Sequence, residues 1–307
     1  PDLREDLARR DFTINAMAYS AEEGLCDPFG GREDLARGVV RAVGEPLRRF
    51  GEDALRILRA VRFASELGFS IEENTAAAME RQAGRLALIA PERVREELTR
   101  LLCGRWAQRT LLKYNDIIGA ALPELVPMFG CTQDNPHHCY DVWGHTVRAV
   151  GQVPPEPCLR WAMLLHDSGK PACKTVDEQG VGHFRGHPKA SRALAERLLP
   201  RLRFSNEDSE RILLLVEQHD RSLGDSDKLV RRRLAQIGEA RFRDLLMIKK
   251  GDAVGQNTQP WDVGTLQGTE RLLNEVLRQD SCLSLRRLAV NGRDMQTLGL
   301  TGEKIGE

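Results

Sequence analysis

At 307 residues and 34.4 kDa the chain exceeds one small domain, and two or three units are expected. Hydrophobic residues make up 41% and charged residues 29%, with a mean hydropathy of −0.41. No apolar run has the length of a membrane span, and 5% aromatics argue against a stacking platform for single-stranded nucleic acid. Lys+Arg and Asp+Glu both number 45 and no segment is a basic tail, so a nucleic-acid partner has to be argued from motifs.

Only eight of the basic residues are Lys, and none precedes Lys113. The N-terminal third relies on Arg, the side chain suited to planar, bidentate recognition of phosphates and bases, although a GC-rich genome gives the same bias. Seven Cys with no C-x-x-C argue against a disulfide framework or a zinc finger, and the cytoplasm is the default compartment. The chain starts at Pro1 rather than Met and reads as an internal piece of a longer protein.

In chain order, Thr13–Tyr19 and Val39–Val43 are expected as short strands on either side of the turn Asp27-Pro28-Phe29-Gly30-Gly31. From Glu52 the period becomes helical, with Leu55, Leu58 and Val61 spaced at three and Gly68 stopping the run. Further helices are expected over 72–87, 91–103 and 106–120, with a boundary near Pro123, Pro127 and Gly130. Helices over 141–152, 156–168, 187–203 and 206–219 follow, then 226–236, 239–251 and 267–279, and a turn and helix start near Leu288–Asp294.

All seven His fall between 137 and 219. His145 sits on a helix, His166-Asp167 ends the apolar run Trp161–Leu165, and His219-Asp220 ends Ile212–Gln218. Imidazoles and carboxylates at several helix ends can converge on one divalent metal. The alternative is a set of surface histidines and one in the core. The order His145, His166-Asp167, Asp220 resembles the H…HD…D signature of the HD phosphohydrolase superfamily. That resemblance implies that His145, His166, Asp167 and Asp220 bind a divalent transition metal or Mg²⁺. It adds His187, and less directly His183 and His219, as further ligands or phosphate contacts, and Lys170 as a phosphate contact.

The second constellation is Asp53, Arg56, Arg59 and Arg62, recurring every third residue. On a helix this spacing predicts one carboxylate and three guanidiniums along a shared face about 13 Å long. Such a row suits a base edge and a triphosphate; it also suits a solvated face with an internal bridge. Around it lie Arg9-Arg10-Asp11-Phe12-Thr13-Ile14-Asn15-Ala16-Met17-Ala18 and Pro91-Glu92-Arg93-Val94-Arg95-Glu96-Glu97-Leu98, with Leu288–Met295 and Thr301–Gly306 near the end. This order resembles class II tRNA nucleotidyltransferases, the CCA-adding enzymes and their bacterial poly(A) polymerase relatives, over nearly the whole chain.

The resemblance implies a mainly α chain of four parts. These are the C-terminal remnant of an α+β nucleotidyltransferase head (1–45), a helical neck with the nucleotide-selecting helix (46–130), a helical HD domain (131–222) and a helical body and tail that binds tRNA (223–307). It implies addition of C, C and A to the tRNA acceptor arm from CTP and ATP. Arg10, Asp53, Arg56, Arg59 and Arg62 would hold the nucleotide, with Asp11, Asn15, Glu92 and Arg93 in support. Lys228, Arg231, Arg232 and Arg233 would touch the RNA backbone. The family's Gly-Gly turn and Asp-x-Asp pair, which bind Mg²⁺, are not in this sequence and are expected upstream of Pro1, so the chain alone is expected not to transfer nucleotides. Two other readings stand beside this one. In the first, an HD phosphodiesterase or phosphatase acting on cyclic or 2′-phosphates is the chain's only activity; in the second, the chain is a non-enzymatic RNA-binding remnant.

Overall fold

The computed structural model describes residues 2–134, 139–256 and 261–279, with Thr297. The tail pattern at Leu288–Met295 and Thr301–Gly306 lies outside the described residues.

The chain opens with α1 (Leu3–Ala8), capped by the Asp2 carboxylate. Where one strand was expected over 13–19, a 3₁₀ turn at Thr13–Asn15 precedes β1 (Ala18–Ser20), which pairs antiparallel with β2 (Gly24–Cys26). Helix α2 (Gly31–Arg37) and the short β3 (Val39–Val40) complete this end; beyond β3 only an isolated Phe12–Ala42 bridge continues the expected second strand. Both expected strands are cut short because the apolar residues there turn into a small core of Leu7, Ala16 and Val43 rather than onto a sheet face.

Helix α3 (Pro46–Glu52) leads into α4 (Leu55–Leu67), whose Leu55, Leu58, Val61 and Ala64 are buried as the spacing predicts. Each of the buried Leu and Val side chains contributes about 1.5–3 kcal/mol. Gly68 ends the helix in the left-handed region at φ 75°, a conformation that favours glycine. After it, β4 (Ser70–Ile71) pairs parallel with β3. Helices α5 (Glu73–Gln82) and α6 (Pro91–Cys103) follow, and α6 packs on α4. The helix expected over 106–120 is two, α7 (Ala107–Lys113) and α8 (Asn115–Ala121), broken at Tyr114.

The histidine-rich region is helical. It comprises α9 (Val142–Gln152), α10 (Pro157–Leu165), the single turn α11 (Lys170–Cys173), α12 (His187–Arg201) and α13 (Asn206–Gln218). A small hairpin of β5 (Thr175–Val176) and β6 (Gly182–His183) precedes α12. Then come α14 (Asp227–Ile237), α15 (Glu239–Gln256) and α16 (Trp261–Arg278). Helix α15 runs five residues past the end expected for it, because neither Pro nor a capping turn follows Gly251.

The described structure forms two compact units. One holds residues up to Asp220 together with the segment from Met247; the other holds Arg221–Leu246 and the part from Trp261 onward. No described helix is long and apolar enough to cross a membrane.

Candidate functional site

Four helices of the first unit deliver an imidazole cluster. Asp141 caps α9 by accepting from the Gly144 amide, and the apolar face of Val142, Val147 and Val150 turns His145 inward. Glu156 and Pro157 start α10, whose residues are all apolar but Arg160 and are buried from Cys158 onward. The chain leaves that helix in a turn, with Ser168 N–H on Leu165 O and Lys170 N–H on Asp167 O, so that consecutive residues His166 and Asp167 both face inward. His187 begins α12 and His219 follows the last turn of α13.

The side chains meet at Asp167, and each of its two oxygens faces a different pair of rings. Oδ2 lies 3.4 Å from His145 Nε2 and 3.2 Å from His166 Nε2. Oδ1 lies 3.3 Å from His187 Nε2 and 3.8 Å from His219 Nε2. His187 and His219 stand 3.2 Å apart through their Nε2 atoms. A second carboxylate, Asp252 on α15, places Oδ1 2.9 Å from His145 Nε2 and 3.5 Å from His166 Nε2. Three of the rings are fixed alike: Nδ1 of His166, His187 and His219 faces the carbonyls of Met163, Phe184 and Val216 at 2.7, 2.9 and 2.7 Å. A carbonyl only accepts, so each Nδ1 carries a proton and each Nε2 points inward, where it can bind a metal once that nitrogen is unprotonated.

Burial pushes the His166 pKa down, but the Asp167 and Asp252 carboxylates overcome it and raise the pKa to about 10. Burial and the neighbouring His166 charge lower His219 to about 4. Burial works against the charged form of Asp167, yet His166 and Lys170 hold its carboxyl well below the usual range; for Asp252, His145 and His166 do the same. The pocket therefore demands positive charge. His166 Nε2 and Asp167 Oδ2 are buried without a well-formed hydrogen bond. Two sets, His145–His166–Asp167 and Asp167–His187–His219, each gather their donor atoms within 4.8 Å. This donor chemistry fits a divalent first-row metal.

Asp220 was the carboxylate expected at this cluster; the second carboxylate found there is Asp252. Asp220 is exposed at the lip of the cleft. Successive helical residues diverge by about 100°, so turning His219 in turns Asp220 out. Asp252 reaches the cluster because α15 approaches α9 closely through glycines on either side of it. A Cβ on Gly251 would lie 2.7 Å from Val153 Cγ1, and one on Gly255 2.9 Å from the backbone of Ala149. Glycines flanking an acid four residues apart, in Gly251-Asp252-Ala253-Val254-Gly255, were the available signal. Gly255→Val is expected to displace Asp252 and weaken divalent-metal affinity about 10- to 100-fold, read by competition with a fluorescent chelator.

The other predicted residues of this cleft fall in different roles. Lys170 Nζ is buried, 2.8 Å from Asp167 Oδ2 and 2.9 Å from Gln133 Oε1, so it is paired with Asp167 in the structure. His183 lines the cleft but bonds Asp177 Oδ2 at 2.7 Å instead of joining the cluster. The cleft encloses about 330 Å³ and is also lined by His187, His219 and Arg185.

A second pocket of about 550 Å³ forms where the N-terminal segment meets α4, lined by Arg9, Arg10, Asp11, Asn15, Asp53, Leu55, Arg56, Arg59 and Arg93. Five guanidiniums against two carboxylates leave it strongly positive. Asp53 precedes α4; its Oδ1 accepts the Leu55 amide and its Oδ2 lies 2.8 Å from Arg93 Nη2. Arg56 donates to the carbonyls of Arg9 and Arg49 and to Glu52. Asp11 is buried; it holds Arg59 at 2.6 Å through Oδ2 and Asn15 Nδ2 at 3.1 Å through Oδ1. Arg10 is exposed, bridging to Asp6. Arg9 lines the pocket and was not among the expected residues, although it opens the Arg9-Arg10 pair.

Two predicted residues are not in this pocket. Arg62 is 3% exposed and buried against Glu97 at 3.1 Å, with its guanidinium over the Phe63 ring. Each three-residue step turns about 60° short of a full circle, so the third step from Asp53 reaches the opposite side of the helix. Glu92 instead faces Arg203 at 3.6 Å. Burial raises the Glu97 carboxyl pKa despite Arg62 and Arg59. Removing this partner would leave the buried guanidinium only the longer contact with Glu66 at 3.4 Å. Glu97→Ala is therefore expected to cost about 3–5 kcal/mol, against no more than about 1 kcal/mol for Arg100→Ala in the exposed pair with Glu66, both read by urea denaturation.

In the second unit, Arg231 is tied to Asp227 at 2.6 Å and to Gln279, and Arg233 bonds the Ser222 carbonyl. Lys228 and Arg232 are exposed.

Comparison with known proteins was then decisive. Over its full length the chain is 40% identical to the A-adding tRNA nucleotidyltransferase of Deinococcus radiodurans, covering 74% of that protein. The chain belongs to the tRNA nucleotidyltransferase family. The CC-adding tRNA nucleotidyltransferase of Thermus thermophilus is 36% identical across 92% of this chain and 67% of its own length. Family models place the poly A polymerase head domain at residues 1–41, the probable RNA and SrmB-binding site of polymerase A at 68–127 and an HD domain at 137–246, which ends before Asp252. The structure of the Bacillus stearothermophilus CCA-adding enzyme in complex with CTP superposes with a TM-score of 0.69 at 27% identity, over 98% of this chain and 66% of that one.

Proposed function

We propose that this member of the tRNA nucleotidyltransferase family selects CTP and ATP for addition of C, C and A to the tRNA acceptor arm, and that its imidazole cluster is a separate, metal-dependent phosphohydrolase site. The observation that carries the first part is the Asp53–Arg93 and Arg56 group set in a pocket of five guanidiniums. Cytosine and adenine both present an exocyclic amino donor, whereas guanine and uracil present a carbonyl there. A carboxylate beside guanidiniums matches the first pair and opposes the second. Arg9, Arg10 and Arg59 surround this edge with charge suited to a triphosphate. The Deinococcus and Thermus relatives are described as A-adding and CC-adding, which supports donors of the C and A type. Exposed Lys228 and Arg232 are the groups suited to RNA phosphates in the second unit. The test is competition: unlabelled CTP and ATP should displace labelled CTP from the chain, and GTP and UTP should not. Equal displacement by all four would remove the base-selecting role.

For the second part, His145, His166, Asp167 and Asp252 would hold a divalent ion, with His187 and His219 completing a second ligand set on Asp167. Such an ion supplies Lewis acidity toward a phosphoryl oxygen. The protein's own contribution is to orient the rings through Met163, Phe184 and Val216 and to anchor Asp167 with Lys170. Cyclic and 2′-phosphate ends are the substrates this reading implies.

A further inference from the structure

The β5–β6 hairpin carries a histidine whose bonding is the reverse of that of its neighbours. His166, His187 and His219 commit Nδ1 to backbone carbonyls and turn Nε2 toward the cluster. His183 commits Nε2 to a carboxylate, Asp177 Oδ2, at 2.7 Å. That carboxylate is itself fixed: its Oδ1 accepts the Gln179 and Val181 amides at 3.0 and 2.9 Å. The hairpin is anchored beside the cleft, because Gly182 N–H donates to Asp134 O and a Cβ there would lie 2.3 Å from the Gln133 carbonyl. The Gln133 side chain in turn holds Lys170 on Asp167. His183 lines the same cleft as Asp167, His187, His219 and Asp252, with its side chain 39% exposed.

We propose that His183, oriented by Asp177, is the general acid that protonates the leaving oxygen when a phosphoester is hydrolysed in this cleft. The inference rests on the phosphohydrolase reading given above. A carboxylate bound to one ring nitrogen fixes the ring's orientation, so the other nitrogen is the one presented for proton transfer. The His183 and backbone hydrogen bonds to Asp177 also keep its carboxyl below the usual range, and thus charged. Among its neighbours, Lys170 is held on Asp167 and Gln133, and the three Nδ1 protons of His166, His187 and His219 bond carbonyls. For a 2′,3′-cyclic phosphate, a water oxygen forms a new bond to phosphorus and one ring P–O bond breaks. The electron pair stays on the departing ribose oxygen, which takes the proton from His183 Nδ1. The proton lost by the water passes to solvent, from which His183 is recharged, and the product is a phosphomonoester.

The experiment measures hydrolysis of 2′,3′-cyclic AMP and of bis(p-nitrophenyl) phosphate by the divalent-loaded chain, with bound metal counted in parallel. Its p-nitrophenolate leaves without needing a proton. His183→Ala is expected to lower kcat on the cyclic nucleotide about 10²- to 10⁴-fold. It should change the p-nitrophenyl ester by less than about threefold, with bound metal unchanged; Asp177→Asn should show the same substrate split with a smaller loss. An equal fall on both substrates, loss of bound metal, or no fall at all would overturn the assignment. A parent chain that keeps its metal and hydrolyses neither ester would overturn the phosphohydrolase reading itself, and this inference with it. That failure differs from the others because the parent is then inactive.

Discussion

Asp167→Ala is expected to strip the chain of bound divalent metal and to lower phosphoester hydrolysis by at least about a hundredfold, while CTP binding stays at the parent level. The magnitude follows from position. Partners that merely orient a ligand are worth about 10- to 100-fold in metal affinity, and Asp167 touches both ligand sets directly. Its Oδ2 faces His145 and His166 and its Oδ1 faces His187 and His219, so one substitution removes the carboxylate shared by all four rings and leaves Asp252 with His145 and His166 alone. It also leaves the buried Lys170 ammonium without its carboxylate, so some stability is lost as well. Asp167→Asn retains volume and polarity and separates the two effects: it should fold better than the alanine variant yet still fail to hold the metal. Metal content of the purified variants, counted per chain, checks both statements. A fully loaded Asp167→Ala chain would show that the cluster is not the metal centre.

Arg56→Ala is expected to weaken CTP and ATP binding about 10- to 150-fold. That range corresponds to one charge-assisted interaction of about 1.5–3 kcal/mol. Arg56 lines the arginine pocket and spans it, donating to the Arg9 carbonyl on one side and to Glu52 and Arg49 on the other. Arg56→Lys should not restore binding, because an ammonium cannot reproduce the planar fork that meets three acceptors. Asp53→Asn gives a complementary result. The amide still caps α4 at Leu55, so the fold is kept, but the side chain now offers a donor where an amino group must be accepted. Discrimination against GTP and UTP should relax in this variant. Titration calorimetry with each nucleotide reads both effects, and unchanged selectivity in Asp53→Asn would contradict the base-reading role.

Much of this organisation was legible in the sequence where local physics decides it. Leu55, Leu58 and Val61 with Gly68 mark α4, and Asp141, Glu156 and Ser205 cap the three helices they precede. His145 and the His166-Asp167 pair were recognisable because apolar helix faces dictate which side is buried. What the sequence hid is tertiary or geometric. Asp252 lies 85 residues beyond Asp167, and the only local signal for it is the pair Gly251 and Gly255, which marks a close helix approach but not what it approaches. Arg62 was misplaced because a three-residue repeat winds round a helix with about 3.6 residues per turn. The short strands of the N-terminal segment were overextended because brief apolar runs do not reveal whether they enter a sheet or a small core.

If the arginine pocket reads nucleotides and the imidazole cluster binds metal as separate sites, each can be lost without the other. Calorimetric titration of CTP into the parent chain, Asp167→Ala and Arg56→Ala tests it most directly. Saturable binding in the parent, unchanged in Asp167→Ala and at least about tenfold weaker in Arg56→Ala, is the predicted result. Loss of CTP binding in Asp167→Ala at intact folding, or full retention in Arg56→Ala, would contradict it.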